Sequence, residues 1–327
     1  MWLKLIKNPI LFQGRNKRKS YFEGWYFKQV SQDLKTTISL IPGISFDERD
    51  PHCFIQVIVT QISGTAQNMP MRTEYFRFPH DAFTYQDEPF AIQIADNHFS
   101  KEGIFISLES EQLKLQGQVK FGTLRGIETS MLHPNIMGYY AYIPRMECYH
   151  GIVSMTHLLE GSLELGSETI SFTSGKGYIE KDWGSSFPGS YLWLQSNHFD
   201  DPEAALMCSV AHIPFLGSSF KGFICNLSLG EREYRFASYN NSKLELHEFT
   251  PTRARLTMKR KDLLLKLDAQ MEIGALLQAP LMGAMSLKIK EGLSGIVTVT
   301  LQKSSGEILF DSIGSQCGIE LMPEGGM

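Results

Sequence analysis

The chain has 327 residues, 43% of them hydrophobic and 20% charged, enough apolar material for a sizeable core, so disorder is excluded as the default. A formal net charge of −4 provides no global field for nucleic acid. The five cysteines, Cys53, Cys148, Cys208, Cys225 and Cys317, are scattered, odd in number and without a Cys-x-x-Cys, which argues against a disulfide framework or a zinc knuckle.

The length exceeds the usual size of one hydrophobic core, so two domains are expected. No apolar run reaches the ~18 residues that a membrane-spanning helix requires. The N-terminus lacks the apolar core and cleavage site of a secretory signal, and a cytoplasmic protein is expected. Residues 1–22 carry Lys4, Lys7, Arg15, Lys17, Arg18 and Lys19 and no acid. Such an arm could touch anionic lipid as a peripheral membrane contact. A solvated first strand and loop is the simpler reading, because Asn8-Pro9 interrupts any amphipathic helix.

From residue 25 onward, short alternating or β-branched and aromatic runs dominate. In the first half they fall at 25–30, 36–41, 54–61, 73–78, 104–108 and 113–121. They continue at 161–165, 169–173, 177–183, 190–198, 205–211, 220–229 and 233–239. The last fall at 244–249, 253–259, 263–270, 285–289, 295–302 and 307–311. Gly, Asp, Asn or Pro punctuate most gaps and helical periodicity is scarce, which predicts an all-β sandwich or barrel architecture.

The two halves repeat one outline. Trp25-Tyr26-Phe27-Lys28-Gln29, Ile38–Gly43, Phe54–Val59 and Tyr75–Phe78 follow one another in the first half. Tyr191-Leu192-Trp193-Leu194-Gln195, Ser209–Pro214, Phe220–Cys225 and Tyr234–Phe236 follow in the second, at an offset of about 160–170 residues. This reads as an internal duplication giving two related β-domains, 1–147 and 148–327, with the boundary near Pro144–Gly151.

An extended strand over 177–183 would place Tyr178, Glu180 and Asp182 on one face and Ile179, Lys181 and Trp183 on the other. Charge on both sides excludes a wholly apolar setting, since unpaired buried charge is costly. The next run would line up Tyr191, Trp193, Gln195 and Asn197, the groups of a pocket for a partly polar aromatic ligand or of a core whose end meets solvent. Glu23, Trp25 and Phe27 share a face near the N-terminus, with Glu23 either a salt-bridge partner or an acid in a cavity. His150 reads first as a hydrogen-bonded structural residue. No phosphate loop, Gly-x-Ser-x-Gly elbow or His-Glu-x-x-His occurs, so no metal or other cofactor is expected.

Gly24-Trp25-Tyr26 entering a first strand resembles the opening of lipocalin barrels, where the tryptophan closes the barrel floor. Three longer blocks, Tyr21–Lys28, His150–His157 and Gly177-Tyr178-Ile179-Glu180-Lys181-Asp182-Trp183-Gly184, resemble the tocopherol cyclase-like family. Ser186-Phe187-Pro188, Trp193–Asn197 and Gly318-Ile319-Glu320 are similar as well. The resemblance implies two tandem lipocalin-like β-domains with few helices, related to carotenoid hydratase-like proteins. It implies closure of a chromanol ring on a prenylated hydroquinone, a lyase- or isomerase-type reaction started by protonation of a double bond. The acid is expected at Asp182, with Glu180 or Glu23 next. Trp25, Tyr26, His150, Tyr178, Trp183, Tyr191, Trp193, Gln195 and Asn197 are expected to bind the substrate, a prenyl quinol or other isoprenoid. A non-catalytic carrier of a hydrophobic ligand, or a hydratase in which water captures the cation, are the competing expectations.

Overall fold

The computed structural model describes residues 2–62, 71–215, 218–271 and 273–324. It is all-β apart from one α-helix, α1 (Trp2–Lys7), and four short 3-10 turns among the described residues. The helix stops at Asn8-Pro9, as proline chemistry dictates. No helix is long and apolar enough to cross a membrane among the described residues.

The first sheet has twelve strands. They are β1 (Phe22–Val30), β2 (Thr36–Ser45), β3 (His52–Gln61), β4 (Met71–Pro79), β5 (Phe83–Asp87) and β6 (Phe90–Ile94). Then follow β7 (Asn97–Ser100), β8 (Gly103–Glu109), β9 (Lys114–Phe121), β10 (Cys148–Leu165), β11 (Glu168–Ser171) and β12 (Lys176–Gly184). Their order is β4-β3-β2-β1-β12-β10-β9-β8-β7-β6-β5, with β11 paired to β10. The sheet wraps an apolar cluster that draws Phe27, Leu40, Val57, Ile92, Ile104, Leu115 and Leu163 from seven of its strands.

The second sheet has ten strands. They are β13 (Tyr191–Ser196), β14 (Ala204–Phe215), β15 (Ser218–Leu229), β16 (Arg232–Ala237) and β17 (Lys243–Phe249). Then follow β18 (Arg253–Arg260), β19 (Leu263–Gln270), β20 (Ala275–Leu281), β21 (Ala284–Lys303) and β22 (Ile308–Met322). Their order is β16-β15-β14-β13-β22-β21-β19-β18-β17, with β20 paired to β21. In both sheets four consecutive strands run outward from the first, and the last strand in sequence pairs with the first from the other side. The predicted duplication is therefore visible as a repeated topology. Each sheet is open and sandwich-like instead of a closed barrel.

The repeat is one residue out of phase with the alignment expected from sequence. Trp25 and Phe27 belong to the first apolar cluster, whereas Leu192 and Leu194, not Tyr191 and Trp193, belong to the second. Register pairs Tyr26 with Glu180 and Trp193 with Glu320. A one-residue slip moves every side chain to the opposite face, so Tyr26 is the positional counterpart of Trp193.

The compact units also differ from the expected domains. One comprises Met1–Met137, Ala141–Phe187 and Leu277–Lys288; the other comprises Gly138–Tyr140, Pro188–Leu276 and Ile289–Met327. The division falls at Phe187–Pro188, not near residue 147, so the Glu-Lys-Asp-Trp-Gly strand belongs to the first unit. The reason is register: β12 lies between β1 and β10 and hydrogen-bonds to both. The segment 277–288 joins that unit through Gln56, whose Nε2 donates to the Gln278 carbonyl at 2.9 Å and whose Oε1 accepts from the Gln278 N–H at 2.8 Å.

Gly184 ends β12 at φ +156°, and a Cβ there would stand 2.0 Å from the Glu147 carbonyl oxygen. Gly189, five residues on, opens into free space. Gly184→Ala is therefore expected to cost at least about 2 kcal/mol in urea unfolding. Gly189→Ala should stay within about 0.5 kcal/mol of wild type.

Candidate functional site

Strand β12 divides its side chains as the alternation predicts. Ile179 and Trp183 join the apolar cluster of the first unit, and Lys181 between them is fully buried. Its ammonium pairs with the equally buried Glu23 carboxylate and donates to the Leu11 carbonyl. It also lies over the Trp25 ring at 4.6 Å and the Trp183 ring at 4.9 Å. Glu23 accepts further bonds from the Gln13 N–H at 2.8 Å, the Gly14 N–H at 2.8 Å and the Tyr21 hydroxyl at 2.6 Å. The Trp25 indole N–H donates to the Ile10 carbonyl at 2.7 Å. Trp183 stacks on Tyr149 at 5.5 Å with 8° between the rings.

These contacts bind residues 10–14 across the inner ends of β1 and β12. Glu23 is therefore not an acid facing a cavity, because both its oxygens are committed. Trp25 and Trp183, expected at the substrate, flank the lysine and pack in the core. Burial pushes the Lys181 pKa down to about 8, against the opposing pull of Glu23.

The other face of β12 carries a separate constellation. Register places His150 on β10 opposite Asp182. The His150 Nδ1 donates to Asp182 Oδ1 at 2.8 Å, and its Nε2 lies 3.3 Å from Glu180 Oε2. That second contact is an ion-pair approach without hydrogen-bond alignment. The Tyr178 hydroxyl donates to Glu180 Oε2 at 2.5 Å. Tyr26, opposite Glu180 on β1, meets the Tyr178 ring edge-on at 6.5 Å and accepts from Ser39 Oγ at 3.0 Å. Cys148 Sγ points to Asp182 Oδ1 at 3.9 Å.

Burial opposes charge on His150, but the Asp182 and Glu180 carboxylates outweigh it and raise its pKa to about 10. The ring is thus an imidazolium at neutral pH, held between two acids. Tyr178 and Cys148 are pushed well above their ordinary values, first by burial and then by these carboxylates. Glu180 is almost wholly buried, whereas the Asp182 side chain is 24% exposed. His150 occupies Asp182 Oδ1; Oδ2 makes no hydrogen bond among the described residues.

His150, Glu180 and Asp182 offer ligand atoms within 4.8 Å of one another, the spacing of a metal site. The two histidine nitrogens, however, face different carboxylates. The ring sits between the acids as a clamped cation, with one nitrogen toward each carboxylate. The donor set fits a proton better than a divalent ion.

Four predicted residues lie elsewhere, in the second unit. Tyr191, Trp193 and Gln195 are buried on β13, and buried Asn197 follows the strand. The Tyr191 hydroxyl donates to Glu320 Oε2 at 2.5 Å. Glu320 pairs in register with Glu291 on β21, which is fully buried. Glu291 escaped the sequence reading, because nothing local distinguishes it from the many charges of a long strand. Topology is the signal that finds it: β22 stands beside β13 as β12 stands beside β1, so Glu320 occupies the place of Glu180.

The profile of the tocopherol cyclase-like family matches residues 110–322, and the chain belongs to that family. The matched stretch takes in His150, all of β12 and β13, but not Tyr21–Lys28. A chloroplastic tocopherol cyclase of Zea mays is 34% identical over 62 residues, 19% of this chain and only 13% of the maize protein. Among solved structures, CghA with Sch210972 superposes with a TM-score of 0.59 at 8% identity, covering 93% of this chain and 89% of that one. Kievitone hydratase from Nectria haematococca gives 0.54 at 10% identity, covering 97% and 94%. At these identities the likeness is one of fold.

Two measurements check the electrostatics. A histidine whose folded pKa is raised from 6.5 to about 10 contributes stability that is complete below pH 6.5 and lost as pH climbs through 10. The unfolding free-energy gap between wild type and His150→Gln should therefore shrink across that window; the opposite contribution of Lys181 cancels in the difference. Lys181→Met strands the Glu23 carboxylate and should cost about 3–5 kcal/mol, with Glu23→Gln/Lys181→Met less destabilised than the sum of the singles.

Proposed function

We propose that the chain catalyses proton-initiated addition of an oxygen nucleophile to an isoprenoid double bond, with closure of a chromanol-type ring on a prenylated hydroquinone as the reaction. One observation carries the reading. Asp182 is the partly exposed carboxyl of a buried polar cluster, with Oδ1 held by His150 at 2.8 Å. Membership of the tocopherol cyclase-like family supports an isoprenoid-type substrate.

In this mechanism Asp182, the carboxylate partner of His150 at rest, takes a proton from solvent at Oδ2 and donates it to the less substituted carbon of the double bond. The π-electron pair forms the new C–H bond and leaves a tertiary cation. A lone pair of the substrate's phenolic oxygen forms the C–O bond, and the phenolic proton returns to Asp182. Substrate and product are isomers, and the carboxyl is restored. The imidazolium of His150 stabilises the carboxylate left after donation, which strengthens Asp182 as an acid at the moment of transfer. Glu180 and Tyr178 act through His150 as positioning residues. The buried Tyr26 and Tyr178 rings lie on the same face, and a π-face near a cation is worth roughly 0.5–2 kcal/mol.

Asp182→Asn should lower turnover of a prenylated hydroquinone by at least about 100-fold while leaving its binding nearly unchanged. Unaltered turnover in that variant contradicts the assignment of the acid. A tertiary alcohol as product would move the reading to hydration, and recovery of unchanged ligand from wild type would move it to a carrier.

A further inference from the structure

The first unit contains a cavity that the proposed chemistry does not use. Its volume is about 490 Å³, within the range of small-molecule sites. None of Tyr178, His150, Glu180 or Asp182 lines it. Phe121, Leu124 and Val153 give it apolar walls, each packed against the core on one side and only partly buried. Lys7, at the end of α1, and Lys101, in the β7–β8 turn, line it as exposed cations against one acid, Glu102.

The walls are fixed before any ligand arrives. Asn135 is buried; its Nδ2 donates to the Ile6 carbonyl at 3.0 Å and its Oδ1 accepts from the Met137 N–H at 2.9 Å. Those bonds fasten the N-terminal arm to the segment after β9. The same segment is tied to β10 by the Gly122 N–H, which donates to the Leu158 carbonyl at 2.8 Å, and by the Arg125–Thr156 bridge. Between the lining residues Thr129 and Pro134, Met131 is 81% exposed and Leu132 71%. Two adjacent apolar side chains in water beside an apolar cavity mark a binding surface better than a solubilising one.

We propose that this cavity binds a single-chain amphiphile with an anionic head. The chain lies against Phe121, Leu124 and Val153, and the head meets Lys7 and Lys101. Of the six cations in residues 1–22, Lys4, Arg15 and Lys19 pair with Glu88, Asp87 and Glu48, and the others, Lys7, Lys17 and Arg18, attract the same charge. The occupant is a free fatty acid, whose one chain and one carboxylate suit a cavity of about 490 Å³ lined by two lysines. The site stands apart from Asp182, so it holds or fails independently of the proposed reaction.

The full chain should be titrated with a pyrene-labelled fatty acid and with its neutral alcohol and trimethylammonium analogues. The carboxylate should bind tightest and the ammonium weakest. Lys7→Glu/Lys101→Glu, both on exposed positions, should weaken the carboxylate by about three- to fivefold or more and favour the ammonium. Leu124→Trp, outside any strand, should abolish binding of all three. Monomer binding should survive Met131→Ser/Leu132→Ser; sedimentation with phosphatidylglycerol but not phosphatidylcholine vesicles, lost in that double change and without monomer binding, would assign the surface to a bilayer and overturn the proposal. The proposal is overturned if head charge makes no difference, if the lysine reversal has no effect, or if binding persists in Leu124→Trp.

Discussion

Strand β12 carries charge on both faces, and the structure around it follows from the need to satisfy both. A cation inside an apolar cluster is tolerable only with a partner and saturated hydrogen bonds. Lys181 finds these in Glu23, the Leu11 carbonyl and two indole faces. Glu23 in turn draws the backbone of residues 13 and 14 toward β1. The inner face of the strand thus serves structure, and the acids on the other face are the ones the proposed reaction uses.

The duplication supplied a frame and not two equal sites. Both sheets place their last strand beside their first, with an acid opposite an aromatic residue: Glu180 against Tyr26, and Glu320 against Trp193. Among the described residues, only the first adds a buried lysine between indoles and a histidine between acids. In the second, leucines fill the core positions on β13 and a tyrosine bonds Glu320. The same topology therefore carries an imidazolium clamp in one unit and a pair of cross-strand glutamates in the other.

Much of this was legible in the sequence. Strand period placed Tyr178, Glu180 and Asp182 together and apart from Lys181 and Trp183. The all-β class and the repeat followed from turn punctuation and ordered blocks. Three things were not legible. The short strands β5, β6 and β7, broken by Glu88-Pro89 and Ala95-Asp96, are too brief to show a period. The unit boundary was misplaced because β12 follows residue 147 in sequence yet pairs with β1, a non-local bond that no local pattern encodes. His150 looked like an isolated histidine for the same reason: its meeting with Asp182 depends on the register of β10 against β12. Glu23 and Trp25 lay on a recognisable face, but which side of the sheet holds the core is a property of the packed whole.

The proposed reaction at Asp182 makes a specific chemical commitment: it begins with a proton delivered to carbon and ends with a proton recovered from oxygen. No hydride or electron changes hands. The central claim is therefore tested most directly by running the reaction of the purified protein with a prenylated hydroquinone in deuterium oxide and locating deuterium in the product. The account predicts a cyclised product with one non-exchangeable deuterium on the carbon next to the new C–O bond. A cyclised product without deuterium at that carbon would contradict it.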